Sequence, residues 1–218
     1  PLADDDGRIS GMLCVVTEET ERVVGERRLA TLSRLAGHLA SARAEAEVLD
    51  AIKDGLDTAD KDMPFALLYL YDDKGALRLA RASGVPNGHP ASSAVIIPGG
   101  PWPLDIPTIG SRIVDNLSAV IDARLPSGFW DKPPAQAVVI PIGIKGQQEP
   151  VGCIIAGINP YRKYDEGYAS FMELLAGQIS ASLAGARAFE EERRRADALT
   201  EIDRAKTLFF NNVSHEFR

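Results

Sequence analysis

"VGCIIAGINPYRKYDEGYASFMELLAGQISASLAGARAFEEER", residues Val151 to Arg193, carries two periodicities in one stretch. Val151–Ile158 is apolar or Gly without a break, as in a strand covered on both faces. Asn159-Pro160 turns the chain. From about Asp165 the pattern becomes helical, with Phe171, Leu174, Leu175, Ile179 and Leu183 on one apolar face and no Pro from there onward. A buried strand that feeds an amphipathic helix predicts a sheet with helices packed on it.

Upstream segments supply the rest of that sheet. "AQAVVIPIGIKG" (135–146) is a second strongly apolar strand, joined to the first by a turn over Lys145–Pro150. "FALLYLYD" (65–72), the turn Asp73-Lys74-Gly75 and "ALRLARASG" (76–84) read as a hairpin. Residues 85–94 form a polar loop, "AVIIP" (94–98) a short strand, and "WPLDIPTIG" (102–110) a short helix or turn leading to "SRIVDNL". Residues 118–134, with their prolines, Gly128 and Trp130, read as a long loop.

The N-terminal third is helical. Thr17, Thr20 and Glu21 offer a capping region for a helix from about Glu19 to Leu56, broken near residues 41–45. Leu29, Leu32, Leu35, Ala36 and Leu39 share one face, continued by Val48, Leu49, Ile52 and Leu56. Residues 7–16, "GRISGMLCVV", read as a strand with no neighbour of its own to pair with.

The chain has 218 residues, enough for one core plus extensions, and a net charge of −7 that argues against a nucleic-acid partner. Arg193-Arg194-Arg195 is neutralised by the Glu190-Glu191-Glu192 before it. Cys14 and Cys153 each lie in an apolar run, as buried small hydrophobes do, and fit neither a disulfide framework nor a zinc spacing. No metal site is expected. The apolar runs are too short to span a bilayer and no signal peptide precedes them, so a reduced cytoplasm is the expected location, with a parent chain that could be membrane-associated.

Beyond Arg187 the helix turns polar, with Glu190/Arg194 and Glu191/Arg195 spaced as i,i+4 pairs. Leu199, Ile202, Lys206, Phe209 and Val213 then step by three and four, the seam of a short coiled coil. A helix of some 50 residues reaches roughly 75 Å, past any single core. A second copy of the chain is its expected partner, giving a homodimer through the terminal helices.

The order of elements, and above all Val151–Arg193 with its Asn after the last strand, resembles the GAF sensor fold. The resemblance implies an α+β fold, an antiparallel sheet flanked by helices, with long N- and C-terminal signalling helices and the domain over residues 27–187. GAF domains bind small molecules between the sheet and the excursion that here covers residues 98–134. Trp102, Arg112, Asp115 and Trp130 lie in it and could line a pocket for a planar or anionic ligand, or the tryptophans could simply close the core. Asn159-Pro160 and Tyr164-Asp165-Glu166 depart from the family's cyclic-nucleotide signature. Cys153 is poorly placed for bilin attachment, and His89 is a lone loop histidine rather than an expected haem ligand.

Both ends carry further resemblances. "GRISGMLCVVTEETERVVGERR" is similar to the last strand and exit helix of a PAS domain, which implies residues 1–18 as a PAS-like remnant and 19–26 as a linker helix. "EIDRAKTLFFNNVSHEFR" (201–218) resembles the phospho-acceptor box of sensor histidine kinases, with a coiled-coil linker at 188–205 and the start of the dimerisation domain at 206–218. That resemblance implies His215 as phospho-acceptor, a nucleophile while its imidazole is neutral, and Glu216 as its proton acceptor and orienter. ATP and Mg2+ would act in the parent kinase, whose partner would be a response regulator receiver domain; no cofactor is expected here. The chain then reads as a piece cut in mid-helix, without an ATP-binding domain and so not itself active. The competing readings are a ligand-free GAF dimerisation module, a small thiol enzyme on the GAF fold, and a GAF-containing transcription activator.

Overall fold

A computed structural model describes residues 2–3, 9–11, 19–143 and 149–216, with side chains over 19–143 and 149–207. Near the N-terminus β1 (Leu2–Ala3) and β2 (Ile9–Gly11) pair antiparallel, so the expected strand at 7–16 does have a neighbour. Cys14 lies outside the described residues.

The helical third divides where expected, into α1 (Thr20–Leu39) and α2 (Glu45–Asp57). The expected linker at 19–26 and the first helix after it are one helix. Its buried face is Arg28, Leu32, Leu35 and Leu39, whereas Leu29 is 67% exposed and Ala36 is also exposed. Steps of four, three and four put residue 28 in line with the leucines, and residue 29 sits a further 100° round the helix. Glu47 Oε2 reaches back to the N–H groups of Arg43 and Ala44 at 2.8 and 3.2 Å, satisfying donors that open α2. From the C-terminal side, Arg187 grips Glu45 at 2.9 and 3.1 Å while Glu190 accepts from the Glu45 N–H at 2.9 Å.

Five strands form the main sheet: β3 (Ala66–Tyr71), β4 (Leu77–Ser83), β5 (Arg112–Val114), β6 (Ala137–Ile142) and β7 (Gly152–Gly157). They lie in the order β4-β3-β7-β6-β5, with every neighbouring pair antiparallel. The β3–β4 turn closes on Asp72, whose Oδ1 accepts from Lys74 and Ala76 N–H at 2.9 Å each, with Gly75 at φ +75°. Arg78 at 2.5 Å, together with those amides, holds the Asp72 carboxyl down at about 2.

Alternation divides the central strands between two cores. Ala66, Leu68, Leu70, Val138, Ile140, Ile142, Ile154 and Ala156 face α1, α2 and the long helix α4 (Glu166–Glu216). Phe65, Leu67, Tyr69, Ala137, Val139, Cys153 and Ile155 face the excursion between β4 and β6. Both faces are therefore covered at the centre, which is why β6 and β7 are apolar throughout; each fully buried aliphatic side chain contributes about 2 kcal/mol. On α4, Phe171, Leu175, Ile179 and Leu183 are buried, but Leu174 is 59% exposed and belongs to the outer face.

The expected strand at 94–98 is reduced to an isolated bridge, Arg78↔Val95, flanked by Leu79 N–H to Ala94 O and Ile96 N–H to Leu77 O at 3.0 Å each. Pro98 lacks the donor to extend it. The bridge still covers the outer side of β4. Residues 102–110 form no helix, and the segment after them is β5 on the opposite edge. A short helix α3 (Leu117–Val120) interrupts the expected loop at 118–134. Among the described residues no helix is long and apolar enough to cross a membrane.

One buried carboxylate ties α1 to the sheet. Asp62, in the α2–β3 connection, has a side chain 2% exposed and accepts a bidentate pair from Arg27 at 2.7 and 2.7 Å, plus Arg28 Nε at 3.3 Å. The Arg28 guanidinium lies 4.2 Å from the Tyr168 ring centroid, and Tyr168 Oη donates to the Asp62 carbonyl.

Removing one side of a buried ion pair strands the other, so Asp62→Ala should lower unfolding stability by about 3 kcal/mol in a denaturant titration, with Asp62→Asn costing less. Cys153 is fully buried and its thiol is pushed up to about 12 by that burial. In a Cys14→Ser background, a thiol reagent at pH 8 should therefore label Cys153 only after denaturant is added.

Candidate functional site

The space between sheet and excursion, where a GAF-like ligand is expected, is filled by side chains. Trp102 is 3% exposed, its ring 6.2 Å from Phe65, and its indole N–H donates to Ala91 O at 2.6 Å. Tyr69 is fully buried and donates to Ser93 O at 2.8 Å, its hydroxyl pushed up by burial. Leu117, Ile121 and Leu125 complete this layer. Trp102 thus closes the core, one of the two roles the sequence leaves open for it.

His89 has both ring nitrogens in use. Nδ1 accepts from Ala91 N–H at 3.1 Å, which makes Nε2 the donor to Arg124 O at 3.2 Å. It pins the two ends of the excursion together. Among the described residues, no group of three or more His, Cys, Asp or Glu is placed to hold a metal.

Two spaces open beside the excursion: one of about 890 Å3 between its 104–108 stretch and the ends of β3 and β7, reached by Arg187, and a groove of about 600 Å3 between the 97–105 loop and β5. Trp102 forms the floor of the groove and Arg112 and Asp115 stand on its β5 side. Arg112 bonds Asp105 at 2.5 Å, holding that carboxyl below its usual range, and Asp115 accepts from Gln136 at 2.6 Å. Both charges are therefore met within the protein.

Trp130 lies elsewhere. Gly128, at φ +57°, lets the chain run so close to the 60–64 connection that a Cβ would sit 2.5 Å from Asp60 O. That approach brings the Trp130 indole N–H to Lys61 O at 2.9 Å. Its ring meets Phe129 edge-on at 5.4 Å and Tyr161 at 5.3 Å. The Trp130 and Tyr161 rings wall a further cleft of about 570 Å3, bounded opposite by Val23, Val24 and Arg27 of α1. The structure thus brings Trp102, Arg112 and Asp115 to one groove and separates Trp130 from them.

Asn159 explains the turn after β7. Its Nδ2 donates to Lys61 O at 2.7 Å and its Oδ1 accepts from Tyr161 N–H at 2.8 Å, while Tyr168 Oη receives the Asn159 N–H at 3.1 Å. Together with Asp62, Arg27 and Arg28 these residues form a junction between α1, the 59–63 connection, the β7–α4 turn and α4. Sequence reading missed it. The one available signal was Arg28, a charge at core spacing with Leu32, Leu35 and Leu39.

His215 and Glu216 fall within the last turn of α4, and their side chains lie outside the described residues. Leu199 and Ile202, the described apolar members of the heptad series, are 67% and 64% exposed.

Comparison with known proteins agrees with this architecture. The GAF domain of an Acinetobacter phosphoenolpyruvate-protein phosphotransferase superimposes with a TM-score of 0.51 at 20% identity, over 74% of this chain and 95% of that one. The GAF domain of a sensor histidine kinase assigned in Pseudomonas syringae pv. tomato gives 0.52 at 17%, over 78% and 96%. Free methionine-R-sulfoxide reductase from Neisseria meningitidis, solved with its substrate, gives 0.54 at 14%, over 83% and 99%. At these identities the likeness is one of fold. No protein of curated function matches the sequence. The family model described as GAF domain matches residues 42–184, spanning α2 through the sheet-packed part of α4, and the chain belongs to that family.

Proposed function

We propose that this chain is the sensory GAF module of a two-component sensor histidine kinase, passing a signal through a paired helix to His215. The observation that carries this reading is α4. It leaves the core near Arg187 and continues as one helix to Glu216, carrying the segment from Glu201 to His215. A helix free of Pro transmits displacement along its axis because every turn is hydrogen-bonded to the next. Its polar stretch is laced by Arg195–Glu191 at 3.0 Å and by the longer Arg194–Glu190 contact at 3.9 Å.

Leu199 and Ile202 on that helix favour a second copy as partner, since exposed apolar residues at heptad spacing gain burial only by pairing. Bias between two arrangements of the helix pair is the form the signal would take. The occurrence of this fold in a protein named as a sensor histidine kinase agrees with the reading. In the phospho-transfer step the neutral imidazole of His215 attacks the γ-phosphorus of ATP, the Pγ–O bond to ADP breaks, and Glu216 accepts the proton from the other ring nitrogen. ATP, Mg2+ and the receiver domain that takes the phosphoryl group belong to the longer protein this reading requires. The thiol-enzyme reading has less behind it, because Cys153 is fully buried with its thiol raised.

The decisive experiment extends the chain through its downstream domains and supplies radiolabelled ATP and Mg2+. Acid-labile, base-stable label is expected on the native chain and none on His215→Gln; equal label on both would refute the assignment. For pairing, light scattering at tens of micromolar should give twice the mass of one chain. Ile202→Asp should move that value toward the monomer without lowering the melting temperature of the core.

A further inference from the structure

We propose that the cleft between the start of α1 and the β7–α4 turn binds a small planar aromatic carboxylate, at a site separate from the sheet–excursion interface. Its volume of about 570 Å3 lies within the range of small-molecule sites. Two kinds of wall define the occupant. Val23 and Val24 on one side and the Trp130 and Tyr161 rings on the other make a slot with apolar and aromatic faces. Arg27 and Arg162 stand on the same lining.

The charge balance selects an anion. A guanidinium has five N–H donors. Arg27 spends Nε and one Nη2 hydrogen on Asp62, and its Nη1 makes no bond among the described residues. Arg162 makes a single side-chain bond there, to Glu21 at 2.6 Å. Glu21 is 79% exposed while Arg162 is 21% exposed, so the acid can swing into water and leave its partner in place. A pair with one partner so exposed contributes little, and a carboxylate held by the aromatic slot can take over the arginine. Glu19, the one acid on the lining, is occupied by Arg22 at 2.5 Å.

Occupancy would be felt at the junction. Trp130 and Asn159 both donate to Lys61 O, and Arg27 holds Asp62, so three lining residues converge on two adjacent residues of one connection. A molecule in the slot would touch α1 on one side and the turn that opens α4 on the other.

The test uses the full 218-residue chain labelled with 15N, which shows two indole N–H signals, Trp130 being assigned by its loss in Trp130→Phe. The probes are 1-naphthoate and its neutral counterpart 1-naphthalenemethanol. Naphthoate should shift the Trp130 signal saturably, with a Kd below about 1 mM, and leave Trp102 in place. Arg162→Gln should weaken binding about tenfold, as should the neutral probe, through loss of a charge-assisted bond. Glu21→Gln, which removes the internal competitor, should strengthen binding severalfold. The two variants should melt with the native chain, so a folding defect is separable from loss of the site. A shift confined to Trp102, no saturation by several millimolar, or equal affinities for native, Arg162→Gln and Glu21→Gln chains would overturn the proposal.

Discussion

A carboxylate 2% exposed, held by two arginines, is the constraint on which this domain is arranged. Desolvating Asp62 costs several kcal/mol, offset by the 2.7 Å contacts from Arg27 and, more weakly, by Arg28 at 3.3 Å. Those contacts fix where α1 can lie. The same two residues of backbone, Lys61 and Asp62, take hydrogen bonds from Trp130, Asn159 and Tyr168, so the excursion, the β7–α4 turn and α4 are all referenced to that point. Burial of α1 through Leu32, Leu35 and Leu39 has no preferred direction; the ion pairs supply it.

The sheet itself divides labour. Its helix side carries the elements that enter and leave the domain. Its other side is closed by Phe65, Tyr69 and Trp102 under the excursion, with His89 bonding across it. Two charged side chains of the excursion are met within the protein: Arg112 by Asp105, and Asp115 by Gln136 just before β6. The open spaces lie at the margins of the domain, against β5, against α1 and at the ends of β3 and β7.

Much of this architecture was legible from periodicity. The β3–β4 hairpin, β6, β7 and α4 announce themselves because each is long enough, and buried enough, for its pattern to show. The segment at 94–98 shows the right character but reads too long, and the strand at Arg112–Val114 does not show, since each makes only one to three pairings shaped by its neighbours. Leu29 and Leu174 were assigned inward because leucine suggests burial, although the buried line runs one residue away in each case. The junction was hidden for a different reason. An Asp in a polar turn, an Arg on a helix and an Asn before a Pro each look solvated alone, and only long-range closure shows that they share one buried site.

The two margins of the sheet differ, and the difference bears on how the molecule behaves at high concentration. On the β4 side the Ala94–Ile96 segment already occupies the backbone groups. On the β5 side the Ile113 N–H and C=O point away from β6, because Ile113↔Val138 is the non-hydrogen-bonded pair between Arg112↔Val139 and Val114↔Ala137, and no backbone bond to Ile113 is made among the described residues. A ribbon that grows by stacking sheets edge to edge needs two free edges on every unit. This unit has one. The three-residue length of the strand and the Arg112–Asp105 pair beside it disfavour association through that edge. Edge-to-edge growth through this sheet is thus disfavoured by its topology as well as by surface charge.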